Sequence, residues 1–159
     1  MPLAAVLETL VQEAWASLVG PIEGTLQVTP PTDVIAFVQI SGSTTATLTI
    51  ACNDGLARLA ASTIFGLEPA DVSDADIADA MGELANVVGG QLKPHVDPEA
   101  QLGLPAVLHG SDAAVWVPGA VSLGNVVLET CGMRIHAQIL ERGRTPRPTI
   151  KTLRTEAKS

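Results

Sequence analysis

The sequence predicts an α+β domain in which long amphipathic helices pack on an antiparallel β-sheet. Three observations predict it: a helical apolar period near the N-terminus, a strand pair with alternating polarity, and the order helix, strands, two helices, strands. A parallel sheet would need strands and helices to alternate along the chain, and they do not. The chain has 159 residues, 47% of them hydrophobic, which is enough for one domain with a single core.

The N-terminal part contains a predicted helix, residues 3–18, and a predicted β-hairpin, residues 34–51. Apolar residues recur along the helix at spacings of three and four, and Gly20 and Pro21 end it. In the hairpin, an apolar run leads into a turn at residues 41–43, after which threonines alternate with apolar residues. Such alternation is typical of an antiparallel strand with one buried face.

Two further helices are predicted in the middle of the chain. The first is capped by Asn53, runs to about Phe65 and ends at a glycine. The second begins after Ser73, whose pairing with Asp76 resembles a capping box, and runs until Pro94 stops it.

The C-terminal part begins with a predicted loop at residues 94–104. Strand-like runs then follow at residues 106–109, 114–117, 120–129 and 133–140. A turn at Cys131 and Gly132 is expected to join the last two strands. Because the apolar periodicity stops after Glu141, we predict one domain over residues 1–141 and a basic, disordered tail over residues 142–159.

Charge is distributed unevenly along the chain. The net charge is −8, yet residues 142–159 contain six of the nine basic residues and a single acid. Residues 1–141 are therefore strongly acidic, which disfavours binding to nucleic acids and to anionic membranes and suits a partner with exposed lysines or arginines. Aromatic residues make up only 3%, so few surfaces could stack on nucleobases.

The cysteines and the N-terminus predict the cellular compartment. Cys52 and Cys131 form neither a metal-binding spacing nor a disulfide framework. The first residues carry acids where a signal peptide needs basic residues, and no uninterrupted apolar run reaches the length of a membrane span. We therefore expect a cytoplasmic protein with reduced cysteines.

The helix predicted after Ser73 has two opposite faces, which a helical wheel separates. The apolar stripe consists of Ile77, Met81, Leu84, Val88 and Leu92. The opposite stripe consists of Asp79, Glu83, Asn86 and Gly90, with Asp76 at its edge. Glu83 and Asn86 are three residues apart and therefore adjacent on the helix surface. Gly89 and Gly90 each cost the helix roughly 1 kcal/mol, which a purely structural helix has little reason to accept.

The run DAMGELANVVGG, from Asp79 to Gly90, resembles the signature helix of the CheC/CheX/FliY chemotaxis phosphatases. The family motif is acidic-x-x-x-Glu-x-x-Asn-x-x-x-Gly, and this run satisfies all four of its positions. CheC-type members carry two copies, whereas residues 13–16 of the first helix lack the Asn, so the chain resembles the CheX-like members with one motif. Two features depart from relatives: Gln91 stands where they often have Asn, and the basic tail is additional.

The resemblance implies a phosphatase that speeds hydrolysis of the aspartyl-phosphate on a CheY-like response regulator. Asn86 would orient the attacking water, and Glu83 would dock to a lysine beside the partner's phosphorylation site. Further partner contacts are expected from Asp79, Val87 and Gly90. The chain would need no cofactor of its own, since the partner receiver domain is expected to hold Mg²⁺. Similar proteins form homodimers, so a homodimer is also implied.

Other interpretations compete with this one. The chain could be a non-catalytic module that binds a response regulator, as flagellar switch proteins of similar fold do, or an unrelated α+β domain with a chance motif. Asp79 could serve only the helix dipole. His95 and Asp97 are too few ligands for a metal site, and Ser111 lies in a predicted turn without a nucleophile-elbow sequence. The remaining histidines, His109 and His136, are expected to be structural or exposed.

Overall fold

The computed structural model describes residues 2–20, 24–25, 33–110, 119–130 and 132–142. In these residues, three α-helices and seven strands follow one another as α1 Leu3–Leu18, β1 Gly24–Thr25, β2 Val34–Ser41, β3 Thr45–Cys52, α2 Asp54–Phe65, α3 Asp74–Val96, β4 Gln101–Leu102, β5 Ala106–His109, β6 Ala120–Thr130 and β7 Met133–Arg142. A short 3₁₀ turn, Pro69–Asp71, lies between α2 and α3. The order confirms the predicted α+β class.

The strands form one sheet in the order β1-β6-β7-β3-β2-β4, and every pairing among the described strands is antiparallel. The predicted hairpin is present as β2 and β3, which pair from Val34 opposite Cys52 to Ser41 opposite Thr45. The expected burial of only one face of β3 is wrong, because Thr47 and Thr49 on its other face are also buried. On its other side, β2 pairs with β5 at its start and with β4 at its end. The segment from β4 to β5 therefore runs along the outer edge of β2.

Helices α1 and α3 pack on one face of this sheet, α1 against β6 and α3, and α3 against β2 and β3, while α2 packs against α3. The core between them is aliphatic, with Trp15 of α1 as a large buried side chain at 1% exposure. The five residues of the predicted apolar stripe of α3 are each at most 1% exposed. Burial of that stripe fixes the rotation of α3 about its own axis, and the opposite stripe must then face outward.

The start of α3 agrees with the prediction, but its end does not. The capping box is present: the Ser73 backbone N–H donates to the Asp76 carboxylate (2.9 Å), and the Asp76 N–H donates to the Ser73 hydroxyl (3.1 Å). Pro94, however, lies inside the last turn, and the helix continues to Val96. A proline there removes one helical hydrogen bond, while the Asp97 N–H still donates to the Lys93 carbonyl (2.9 Å) and closes the turn.

Two other local predictions need correction, and one strand was not predicted. Asn53 precedes α2 but does not cap it with its side chain; instead, the Asp33 carboxylate accepts the Asp54 N–H at 3.1 Å. The predicted loop at residues 94–104 contains the end of α3 and the short strand β4. The strand β1 was not predicted, because two residues carry no periodicity and pair only through the tertiary fold.

Some predictions fall outside the described residues. These are the strand at 114–117, the turn residue Ser111, the half of the last turn supplied by Cys131, and the tail from residue 143 onward. Within the described part, β7 extends through Arg142, and Gly132 has the positive φ of 71° that a tight turn favours in glycine.

Candidate functional site

The outward face of α3 carries the side chains that the motif singles out. Asp79, Glu83, Asn86 and Gly90 are all exposed, and Val87 is half-buried beside them. Glu83 and Asn86 lie one turn apart on a helix whose other face is fully packed. The backbone that holds this carboxylate and this amide is therefore fixed, while the side chains point toward solvent.

The fold itself does not use these polar groups. Over the described residues, the side chains of Asp79, Glu83 and Asn86 make no hydrogen bond and no ion pair. By contrast, Asp76, one turn earlier, is occupied by the capping box. The two outward carboxylates and the amide are thus free to bind a visiting molecule.

A groove of about 430 Å³ lies between α3 and the chain segment at residues 104–107. It is lined by Ala78, Asp79, Gly82, Glu83, Asn86, Leu104, Pro105 and Val107. Three of the five predicted site residues line it, whereas Val87 and Gly90 do not. Its lining contains two acids and no basic side chain, so its potential favours a cationic group on a partner.

The two adjacent glycines of α3 differ in what the fold requires of them. A Cβ on Gly89 would lie 2.9 Å from Cγ1 of Val38 and 3.0 Å from Cδ1 of Leu102, so close packing on the sheet excludes a side chain there. A Cβ on Gly90 would meet only Cδ2 of Leu102, at 4.0 Å. The expectation that a structural helix has no reason for both glycines is therefore wrong for Gly89 and holds for Gly90.

Sequence reasoning missed the second wall of the groove. Leu104 is 92% exposed, and Pro105 and Val107 are half-buried around it. In the sequence, Leu104 belongs to a glycine- and proline-flanked stretch without periodicity, which predicts only a loop. An exposed leucine cannot be recognised from that pattern, because its exposure depends on how β4 and β5 attach to β2.

His109 links β5 to the N-terminal ends of α2 and α3. Its Nε2 lies 2.8 Å from a carboxylate oxygen of Asp54, and its Nδ1 lies 3.7 Å from one of Asp74. The last residue of β5 is thus held against the first residues of α2 and α3. This contact confirms the structural interpretation of His109.

His136 lies on β7, on the sheet, away from the groove. Its Nε2 is 2.7 Å from Oδ1 of Asn125 on β6. Burial lowers the pKa of His136, so its ring stays neutral at neutral pH. This half-buried ring is structural, as expected.

The residues that a metal site or a cysteine nucleophile would need are hydrogen-bonded or buried in the fold. Asp97 accepts hydrogen bonds from the backbone N–H and hydroxyl of Ser43 (2.9 and 3.1 Å), so it is not paired with His95. In the described part of the chain, no group of three or more His, Cys, Asp or Glu is placed to hold a metal ion. Cys52 is buried against Met81, and burial raises its pKa far above the usual range, so it is not a nucleophile.

No helix in the described ranges combines the length and the apolar character needed to span a membrane.

Comparison with known protein families gives a match to the family described as chemotaxis phosphatase CheX, over residues 34–128. This range is more than half of the chain and contains α3 and both walls of the groove. The comparison with curated proteins gives no match.

Solved structures show the same fold. The chemotaxis protein CheX from Vibrio vulnificus is 16% identical, with a TM-score of 0.74 over 89% of this chain and 97% of that one. The CheX–CheY–BeF3–Mg²⁺ complex from Borrelia burgdorferi matches with 18% identity and a TM-score of 0.73, over 86% and 96%. The FliM middle domain from H. pylori is more distant, with 15% identity and a TM-score of 0.54, over 88% and 85%.

Proposed function

We propose that this chain, which belongs to the chemotaxis phosphatase CheX family, accelerates hydrolysis of the aspartyl-phosphate on a CheY-like response regulator. One observation carries the proposal: Glu83 and Asn86 lie side by side on a rigid helix, exposed, without partners among the described residues and open to a groove. The CheX protein of B. burgdorferi forms a complex with CheY, which supports a receiver domain as the partner.

Asn86 is the catalytic residue in this proposal. In hydrolysis, a water oxygen bonds to phosphorus while the bond from phosphorus to the aspartyl oxygen breaks, releasing phosphate and a free carboxylate. Such a reaction depends mainly on positioning and charge stabilisation. A carboxamide suits the task because it can both donate to and accept from the water and carries no charge to repel the phosphoryl group. Holding the water in line lowers the activation barrier, because the entropy of positioning that water has already been lost when the complex forms.

Glu83 sets the register of the complex. Its carboxylate lies one turn from Asn86 and can form a charge-assisted hydrogen bond to a lysine beside the partner's phosphorylation site. Asp79 lines the same groove and adds to its negative potential. Gly90 leaves room for a close backbone approach, and Val87 offers half-buried apolar surface next to it.

The remaining parts of the proposal concern the partner and the assembly. The Mg²⁺ that phosphoryl chemistry needs belongs to the receiver domain, so the chain contributes no cofactor. The proposal also includes a cytoplasmic location, where the chain would meet this receiver domain. A homodimer, which the family resemblance implies, completes the proposal.

Turnover decides between an enzyme and a non-catalytic binding module of the flagellar-switch type. CheY-like receiver domains from the same genome are phosphorylated with a small-molecule phosphodonor, and phosphate release is followed with this chain at one tenth of the receiver concentration. We expect at least one receiver to release several phosphates per chain. Binding without any faster release would establish the module instead, and neither binding nor release would contradict both functions.

A further inference from the structure

Leu104 is exposed to an unusual degree. It is 92% exposed, whereas the other exposed large hydrophobic residues of the described chain range from 40% to 55%: Phe65, Leu108 and Val121. Single exposed leucines are common on protein surfaces and by themselves indicate nothing. The position of Leu104 within the fold is what distinguishes it.

The backbone around Leu104 is fixed on both sides. Before it, β4 pairs with the end of β2, and the Gly103 N–H donates to the Gln39 carbonyl at 2.8 Å. After it, β5 pairs with the start of β2, and Pro105 sits against α3, 3.7 Å from where a Cβ on Gly82 would lie. Leu104 is therefore held outward by the sheet and is not carried on a free loop.

Leu104 also lines the same groove as Glu83 and Asn86. The groove thus presents two carboxylates and an amide on one wall and an exposed isobutyl group on the other. A partner that fills it must bring a cation to the acids and apolar surface to Leu104. A receiver domain that offers a lysine to Glu83 provides the cation. Because Leu104 lines the same groove, the same receiver domain must also provide the apolar surface.

We propose that Leu104 is an apolar docking residue for the receiver domain, packing on an apolar side chain beside that domain's phosphorylation site. This inference rests on the proposed function, because it takes its occupant from it. Leu104 binds the partner and does not touch the attacking water, so it determines affinity and the choice of receiver. Burying a leucine side chain is sufficient to change affinity tenfold or more.

The test uses three variants of the full chain. Leu104→Ser removes the apolar group, Leu104→Met keeps it, and Val121→Ser is the matched control, since Val121 is 55% exposed on β6, three strands away from β2. Affinity is measured for the tightest-binding receiver domain, loaded with BeF₃⁻ and Mg²⁺ as a stable substitute for the phosphoryl group. We expect Leu104→Ser to weaken binding roughly tenfold or more, and Leu104→Met and Val121→Ser to bind like the wild type.

Kinetics separate this inference from the proposed function. With a substrate receiver, Leu104→Ser should raise KM and leave kcat at saturation unchanged. Equal affinities of Leu104→Ser and wild type would overturn the inference and leave the phosphatase proposal intact. A wild type that binds without hydrolysis would end the phosphatase proposal, while the affinities would still judge Leu104. If Leu104→Ser instead dissociates a homodimer without changing receiver affinity, the occupant is a second copy and the inference is overturned.

Discussion

The two faces of α3 share one backbone and are governed by different constraints. On the inner face, Leu84 and its stripe are almost fully buried and determine how the helix lies on the sheet. On the outer face, one and two residues away from Leu84, Glu83 and Asn86 make no hydrogen bond and no ion pair in the described fold. The comparison predicts that single substitutions on this helix will change either the stability of the fold or the proposed activity, and not both.

The largest expected effect is on the inner face. Leu84→Ala removes a side chain that is 1% exposed, and deleting a buried leucine costs about 2–5 kcal/mol through lost transfer energy and the cavity left behind. Urea denaturation measures the loss. A cost below about 1 kcal/mol would show that α3 does not pack on the sheet as described.

On the outer face, Asn86→Ala should lower phosphatase activity about a hundredfold or more, because the water loses its positioning group. The free energy of unfolding should stay within about 0.5 kcal/mol of the wild type, since the side chain is exposed. Phosphate release and urea denaturation are measured on the same preparation. Undiminished release by the variant would refute the role of Asn86.

The adjacent glycines sharpen the comparison, because replacement by alanine should change the free energy of unfolding in opposite directions at the two positions. Gly89→Ala should destabilise the fold by about 1–2 kcal/mol, since overpacking against the stiff Val38 outweighs the gain in helix propensity. Gly90→Ala should stabilise the fold by up to about 1 kcal/mol, while weakening receiver binding. Thermal melts of both variants test this pair of predictions. Melting temperatures that shift in the same direction for both variants would contradict the packing described.

Glu83→Gln should weaken receiver affinity about tenfold, because a neutral amide loses the charge attraction to a lysine. It keeps the size of the side chain, so kcat at saturation should change less than KM. Glu99→Gln is the matched control, an exposed acid outside the groove. An affinity that does not differ from that of the control would count against the docking role.

The smallest expected effect concerns Asp97, at the end of α3. Hydrogen bonds from the backbone N–H groups of Ser43 and Glu99 hold the pKa of this carboxyl below its ordinary value. A carboxyl with a depressed pKa stabilises the fold above the unfolded pKa of about 3.9, and this contribution disappears as pH falls through the lower folded pKa. Asp97→Asn should therefore melt below the wild type at pH 7, with the gap closing toward pH 2. A gap that does not change with pH would disprove the linkage.

The sequence predicted what local patterns determine. Helices α1 and α2, the capping box at Ser73, the β2–β3 hairpin and the two faces of α3 all follow from periodicity and capping residues, and all are present. The outward orientation of Glu83 and Asn86 could be derived because burial of the opposite stripe requires it.

What the sequence could not predict depends on contacts between distant segments. The cap on α2 comes from Asp33, twenty-one residues before the N–H that it accepts. The strand β4 exists because two residues meet the end of β2. The end of α3 is held by Asp97, which accepts hydrogen bonds from the distant Ser43. The exposure of Leu104 likewise depends on how β4 and β5 pair with β2, so one of the two walls of the groove could not be predicted from the sequence.

Gly89 affects the position of the whole helix α3 on the sheet. It allows α3 to approach Val38 on β2 and Leu102 on β4, and the segment carrying Leu104 is attached to that same β2. The absence of a side chain at Gly89 therefore lets α3 lie close to the strands to which the opposite wall of the groove is attached. A larger residue in place of Val38 should push α3 away from these strands, so we expect a change in the buried core to alter the distance between the two walls of the groove.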